Sequence, residues 1–234
     1  MAERKIALVT GAAGTMGRAV VEAFAEDGYI VVMNDVKAEA LEAVGAAAGG
    51  QTHAYPFDIS NPDAVEEAVS RIQKEVGDVD ILVNNAGILS NHKVVDTTPE
   101  EWNKVLSINL NGAFYLAKWL LPAMRRKKWG RIINTCSYAA KSGGITAGTA
   151  YSVSKGAMVT LTFSLAAETA KDGITVNGIA PAYVKTPMIT DLLTEEERQE
   201  VIKKIPVGRF CEADEFAHVV RFLASEKAGF ITGE

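Results

Sequence analysis

Cysteine and histidine are scarce in this chain of 234 residues, and each scarcity removes a class of protein. The two cysteines, Cys136 and Cys211, cannot build a disulfide framework, and neither sits in a CxxC or zinc-like spacing. They read as small apolar fillers in a protein of a reducing compartment. His53, His92 and His218 are scattered and match no HExxH-type arrangement, so no metal site is expected. No stretch reaches ~18 uninterrupted apolar residues, and Met1-Ala2-Glu3-Arg4-Lys5 runs into a strand-like segment in place of the apolar core of a leader. The expectation is a soluble cytoplasmic protein with no membrane partner. Excess positive charge is also lacking. The net charge is −5, and the densest basic run, Arg125 to Lys128, is short with no aromatic-rich surface after it, which excludes nucleic acid. That run is expected to end a helix, with Gly130 supplying the stop. Repeats, low-complexity segments and linkers are missing too. With 48% hydrophobic residues, the chain reads as one domain over residues 1–234.

What is present is alternation. Ile6 to Val9, Tyr29 to Met33, Thr52 to Phe57, Ile81 to Val83, Arg131 to Thr135 and Thr175 to Ile179 read as buried strands, with amphipathic stretches between them. Asn61-Pro62 offers a helix cap and a first-turn proline, and Thr98-Pro99-Glu100-Glu101 adds a capping box. Pro122 falls inside the apolar pattern Ala113 to Met124, so that helix should be kinked or near its end. Strand and helix in repetition imply an α/β fold, a parallel sheet covered on both faces.

Three local patterns carry chemistry. The first strand runs into Thr10-Gly11-Ala12-Ala13-Gly14-Thr15-Met16-Gly17, followed by helical periodicity. Glycines there let the backbone turn sharply and approach a pyrophosphate, while the helix N-terminus offers free N–H groups. Asp35 ends the second strand eighteen residues beyond Gly17 (35 − 17), where dinucleotide-binding folds carry the acid that bonds the ribose hydroxyls. A carboxylate there would repel a 2′-phosphate by on the order of a few kcal/mol, which favours NAD over NADP; Lys37 could soften the repulsion, but position 36 is Val and not arginine. Asp35 also suits a helix-capping role. Finally, Tyr151 and Lys155 lie four positions apart (155 − 151), on one face of any helix that holds them. An ammonium fixed near a phenol stabilises phenolate, so the pair can be a base; alone it is as readily a pair of ordinary helix neighbours.

With the glycine turn, the acid and the Tyr/Lys pair in this order, the chain resembles the short-chain dehydrogenase/reductase family in its shorter single-domain branch, over essentially its whole length. Asp58 after the third strand, Asn84-Asn85-Ala86-Gly87 after the fourth, Asn109, Ser137 after the fifth and Pro181 to Thr186 after the sixth extend the resemblance. It implies a Rossmann-like, doubly wound, three-layer αβα domain and a secondary alcohol/ketone oxidoreductase. The implied cofactor contacts are Gly11, Thr15, Met16, Gly17, Asp35, Asp58, Ile59, Asn85, Ala86, Gly87, Tyr151, Lys155, Pro181, Val184 and Thr186. Tyr151 would be the general acid/base. Lys155 would depress its pKa and bond the nicotinamide ribose, Ser137 would orient the substrate oxygen, and Asn109 would hold a water in the proton relay.

The departures from the family carry expectations of their own. Relatives usually have glycine at position 15, and Pro-Gly where this chain has Pro181-Ala182. Ser137 and Tyr151 stand fourteen apart (151 − 137), one more than the family spacing, which places an insertion within Lys141 to Thr149. The chain stops at Ile231-Thr232-Gly233-Glu234, where relatives continue into a last strand and tail. His92, Ala139, Ser142, Ile145, Tyr183 and Met188 are expected to wall a mostly apolar substrate pocket without an arginine clamp. The segment 187–205 is expected to form a lid, its helix opened by Thr194-Glu195-Glu196-Glu197. By resemblance again, the helices near Glu100 to Lys127 and Tyr151 to Ala170 would build a homo-oligomer, a tetramer or dimer. The first functional expectation is an NAD-dependent secondary-alcohol or polyol dehydrogenase. The alternatives are a 3-oxoacyl-thioester reductase and a non-catalytic NAD(H)-sensing module, the last disfavoured by the presence of both Tyr151 and Lys155.

Overall fold

Short β-branched runs become strands and the amphipathic stretches between them become helices. A computed structural model describes residues 4–145, 147–187 and 194–234. Its elements run β1 (Ile6–Thr10), α1 (Thr15–Glu26), β2 (Ile30–Asn34), α2 (Ala38–Ala48), β3 (Gln51–Ala54), α3 (Pro62–Glu75), β4 (Ile81–Asn84), α4 (Pro99–Leu106), a π-helical turn (Ser107–Asn111), α5 (Gly112–Lys127), β5 (Gly130–Thr135), α6 (Ala139–Ser142), α7 (Thr149–Thr169), β6 (Ile174–Ile179), α8 (Glu195–Ile202) and α9 (Ala213–Ala224). The strands form one parallel sheet in the order β3-β2-β1-β4-β5-β6. The order reverses between β1 and β4, and at such a switch point the loops beyond the strand ends diverge and leave a crevice.

All five residues of β1 are buried, because both faces of the sheet are covered. Leu8 points into a core shared with Val32, Leu82, Ile132 and Val176 and closed by Leu116, Leu120 and Leu165 from α5 and α7. Its neighbours Ala7 and Val9 point the other way, onto Val20 and Phe24 of α1, Leu41 of α2 and Phe216 and Val220 of α9. This two-sided packing makes the sheet a rigid shelf for whatever lies at its ends.

Four local expectations change. The third strand stops at Ala54, not Phe57, and is only partly buried. Tyr55 N still donates to Met33 O (2.9 Å), but Pro56 has no N–H to continue the ladder, and β3 is the sheet edge. Helix α5 passes through Pro122 and stops at Lys128, in the left-handed region (φ 53°), while Gly130 already opens β5. Thr98 caps α4 by accepting from Glu101 N (3.2 Å), but Glu101 does not return the bond, because its carboxylate is taken by Ser90 Oγ (2.6 Å) and His92 Nδ1 (2.7 Å). The full reciprocal box forms at Thr194 and Glu197, opening α8. At the other sheet edge, Gly233 N donates to Val176 O (2.8 Å) and Gly178 N to Glu234 O (2.6 Å), so Thr232 to Glu234 lie along β6. Residues 188–193 of the segment read as a lid, Met188 among them, lie outside the described residues. Among the described residues no helix is long and apolar enough to cross a membrane.

Candidate active site

A cleft of about 750 Å3 opens beyond the carboxyl ends of β1, β4 and β5. Its floor is the glycine turn. Gly11 has φ +64°, and a Cβ there would meet Ala86 Cα at 2.8 Å; a Cβ on Gly17 would meet Gly11 O at 2.1 Å. Only hydrogen fits at either position, so the turn stays tight and its backbone stays bare toward the cleft. Thr10 ties this turn to the loop after β4: its Oγ1 accepts from Asn85 N and Ala86 N (3.0 Å each), and Asn85 Nδ2 donates to Thr10 O (3.0 Å).

Thirteen of the fourteen residues expected to touch the cofactor before Thr186 line this cleft; with Thr186 included they are Gly11, Thr15, Met16, Asp35, Asp58, Ile59, Asn85, Ala86, Gly87, Tyr151, Lys155, Pro181, Val184 and Thr186. Gly17 does not line it, being packed beneath Gly11. Asp35 Oδ2 accepts from Ala13 N and Oδ1 from Lys37 N (3.2 Å each), so its carboxylate braces the turn at the rim. Asp58, exposed, accepts from Ser60 N (2.8 Å) and Ser60 Oγ (2.7 Å). Two buried acceptors in the lining, Asn85 Oδ1 and Thr135 Oγ1, have no partner, which is costly unless something else supplies one. A bare glycine floor, a carboxylate at the rim and unpaired polar atoms in the wall fit a dinucleotide.

The chemistry-bearing side chains meet at one end of the cleft. Ser137 follows β5, accepts from Ala139 N (3.1 Å) and lines the cleft together with Tyr151 of α7. One turn on, Lys155 is 3% exposed, donates to Thr135 O (2.7 Å) and holds its Nζ 5.9 Å from the Tyr151 ring centroid. Burial drives the Lys155 pKa down from 10.5 to about 8. The expected lowering of Tyr151 by Lys155 is not what the structure gives. Burial pushes Tyr151 above its ordinary 10.0, with the Ser137 hydroxyl offsetting part of the rise. Lys155 does not pull it down because, with a pKa of about 8, it has already lost its charge at the pH where the phenol titrates.

Asn109 sits in the π-helical turn, where the widened backbone aims a fully buried side chain sideways. Its Oδ1 accepts from Ile88 N (2.8 Å), and Nδ2 donates to Ile88 O (3.0 Å) and Ser154 Oγ (3.1 Å), pinning the loop after Gly87 to α7 beside Lys155. His92, Ala139, Ser142, Ile145 and Tyr183, expected to wall a substrate pocket, stand outside the lining of the nucleotide cleft. His92 faces Glu101, Ile145 is 79% exposed, Tyr183 packs on Phe210 (6.3 Å between ring centroids), and Ala139 and Ser142 belong to α6. Sequence reading missed Thr135, Cys136, Ile88, Leu89 and Ile108, which do line it. A polar residue closing a buried strand was the available signal for Thr135. Among the described residues no group of His, Cys, Asp or Glu could hold a metal ion.

The sheet order, its switch point and this cleft define a dinucleotide-binding fold of the Rossmann class. The chain belongs to the short-chain dehydrogenase/reductase family, a family of oxidoreductases. The family model described as enoyl-(acyl carrier protein) reductase matches residues 11–234. The chain is similar to 3-oxoacyl-[acyl-carrier-protein] reductase FabG of Haemophilus influenzae, with 37% identity over 98% of this chain and 94% of that protein. Escherichia coli FabG shows 38% identity over 99% and 94%, and acetoacetyl-CoA reductase of Shinella zoogloeoides 37% over 98% and 94%.

Proposed function

We propose that the protein interconverts a 3-oxoacyl thioester and its 3-hydroxyacyl thioester with NAD(H). The observation that carries this reading is the convergence of Ser137, Tyr151 and Lys155 in the wall of a nucleotide-shaped cleft, in a chain similar throughout to reductases named for 3-oxoacyl substrates. Bound in the cleft, the nicotinamide would supply the hydride that reaches C3 of the substrate. Tyr151, held protonated by its raised pKa, donates its proton to the oxygen as the C=O pair moves onto it. Ser137 hydrogen-bonds the same oxygen, and Lys155, titrating near pH 8, stands behind Tyr151 to restore its proton.

Two features refine the reading. Lys37 and Lys155 are the cations among the described lining residues and no arginine is present, so nothing there offsets Asp35 with the fork a 2′-phosphate would want; this supports NADH. An acidic carrier protein needs a basic patch beside the cleft. The Arg125–Lys128 run lies at the amino ends of the strands, away from the cleft, and each member is ion-paired, Arg125 to Glu168, Arg126 to Asp78, Lys127 to Asp80 and Lys128 to Asp172. That favours a freely diffusing thioester over a carrier-bound one. Asp35 also supports a second reading, the oxidation of a simple secondary alcohol with NAD, which sequence alone placed first.

Initial rates with NADH and NADPH on 3-oxoacyl-CoA and carrier-protein thioesters, beside NAD with a secondary-alcohol panel, separate these readings. The expected outcome is NADH-linked reduction of the CoA thioester, with Tyr151→Phe binding NADH but losing at least ~10³-fold in kcat. A variant keeping more than about a tenth of wild-type kcat removes Tyr151 as the acid, and alcohol turnover without thioester turnover moves the second reading to first.

A further inference from the structure

Among the described residues, the loop entering α7 has few bonds of its own, Ala147 N to Gly144 O (3.3 Å) among them. Gly143 and Gly144 both have positive φ, Ile145 projects into solvent, and Gly148 caps α7 without a side-chain hydrogen bond. Yet Tyr151 lies in the first turn of that helix. The constraint comes from the loop after β4. Ser90 O accepts from Gly148 N (2.6 Å) and His92 O from Thr149 N (3.0 Å), satisfying two amides at the helix start. Between these contacts Lys93 reaches across, its Nζ donating to Gly144 O (2.6 Å) and Ala147 O (2.7 Å). The strap is anchored on its far side by Glu101, which accepts from Ser90 Oγ and His92 Nδ1.

We propose that Lys93 is a positioning residue: by clamping two carbonyls of the 143–149 loop it fixes the start of α7 and so the placement of the Tyr151 hydroxyl. It is not a clamp for a substrate anion, because its ammonium already serves two protein carbonyls. Lys155, one turn deeper and bonded to Thr135 O, keeps its place whether or not the first turn frays. The expected defect is therefore in turnover and not in cofactor binding. The consequence for turnover rests on the role given to Tyr151 above; the clamp itself does not.

The test compares Lys93→Met with Lys93→Arg, which keeps the charge and donors. Hydrogen exchange at Gly148 and Thr149 should speed up by about tenfold or more in Lys93→Met, with the β5 amides unchanged. Its kcat on the thioester should fall roughly 10- to 100-fold while its NADH dissociation constant stays within about twofold, which also shows that it folds; Lys93→Arg should recover most of both. Exchange at Gly148 and Thr149 within about twofold of wild type overturns the proposal, whatever the substrate proves to be. Faster exchange with unchanged kcat overturns the positioning role. Faster exchange in an enzyme whose wild type turns over neither thioester nor alcohol upholds the clamp and sinks the functional reading.

Discussion

The two ends of the sheet treat charge in opposite ways. At the amino ends of the strands, Asp80 is 3% exposed and fully engaged: its carboxylate accepts from Ile6 N and Lys127 Nζ (2.9 Å each), and its backbone bonds Ile6 and Arg131. Arg125 and Lys128 pair with Asp172 nearby. At the carboxyl ends, Lys155 is as deeply buried but is given a carbonyl instead of a carboxylate, and Asn85 Oδ1 and Thr135 Oγ1 have no partner. A buried charge with a partner holds strands together; a buried charge without one shifts its pKa and waits for a ligand. The same sheet thus has a structural end and a chemical end, and the difference between them can be broken by mutation.

The largest effect is expected at the chemical end. Lys155→Met should cost at least ~10²-fold in kcat/KM while leaving the fold intact or more stable. Lys155 titrates near 8 when folded against 10.5 when free, so the folded protein binds its proton less tightly than the unfolded chain does. Below pH 8 the full penalty of burying the ammonium is present, and stability rises as pH climbs from about 8 to 10.5. Replacing it with an apolar chain of similar length should therefore raise stability at pH 7 by on the order of 1–3 kcal/mol, with the gain over wild type shrinking through that window. Thermal melts of both proteins from pH 6 to 10.5 check this, and a less stable variant at pH 7 would mean that Lys155 is structural like Asp80.

The structural end should respond the other way round. Asp80→Ala leaves Ile6 N unpaired at the start of β1 and Lys127 without its counter-charge. A loss of about 2–3 kcal/mol is expected, or roughly 5–10 °C in melting temperature for a domain of this size. Turnover per folded molecule should stay unchanged, because Asp80 and the cleft lie at opposite ends of the strands. Activity lost in proportion to stability would show the two ends to be coupled.

This division also explains what could be read from sequence. The strands, the glycine turn and Asp35 were legible because backbone demands fix them: apolar runs bury, and only glycine fits where Gly11 and Gly17 sit. Tyr151 and Lys155 were legible because helical spacing and family resemblance agree. Side-chain directions were not. His92 turns to Glu101, a contact made between side chains nine residues apart (101 − 92) that no local pattern announces. Glu101 in turn looked like half of a capping box until Ser90 and His92 drew it away. The effective pKa of Tyr151 was illegible for a similar reason: adjacency on a helix says nothing about how much water burial removes from both groups.

The smallest effect is expected within the chemical end, at the exposed His92–Glu101 pair that holds the loop after β4 to α4. Glu101 raises the pKa of His92 above its ordinary 6.5, by hydrogen bond first and by charge second. A histidine whose folded pKa is raised contributes its full stabilisation below pH 6.5 and loses it as pH rises through the higher folded value. Glu101 is held below 4.5, chiefly by Ser90 and then by His92, so its share is present above pH 4.5 and fades as pH falls through its own lowered value. The pair should matter most between about pH 4.5 and 6.5. Both groups are exposed enough for water to screen them, so His92→Gln should lower the melting temperature by only about 1–2 °C at pH 6, and by less at pH 8.5. The substitution leaves the His92 carbonyl that accepts from Thr149 N in place. Turnover should therefore hold, and a His92→Gln variant with the kcat loss expected of Lys93→Met would mean that the Glu101 anchor, and not the lysine clamp, sets the start of α7.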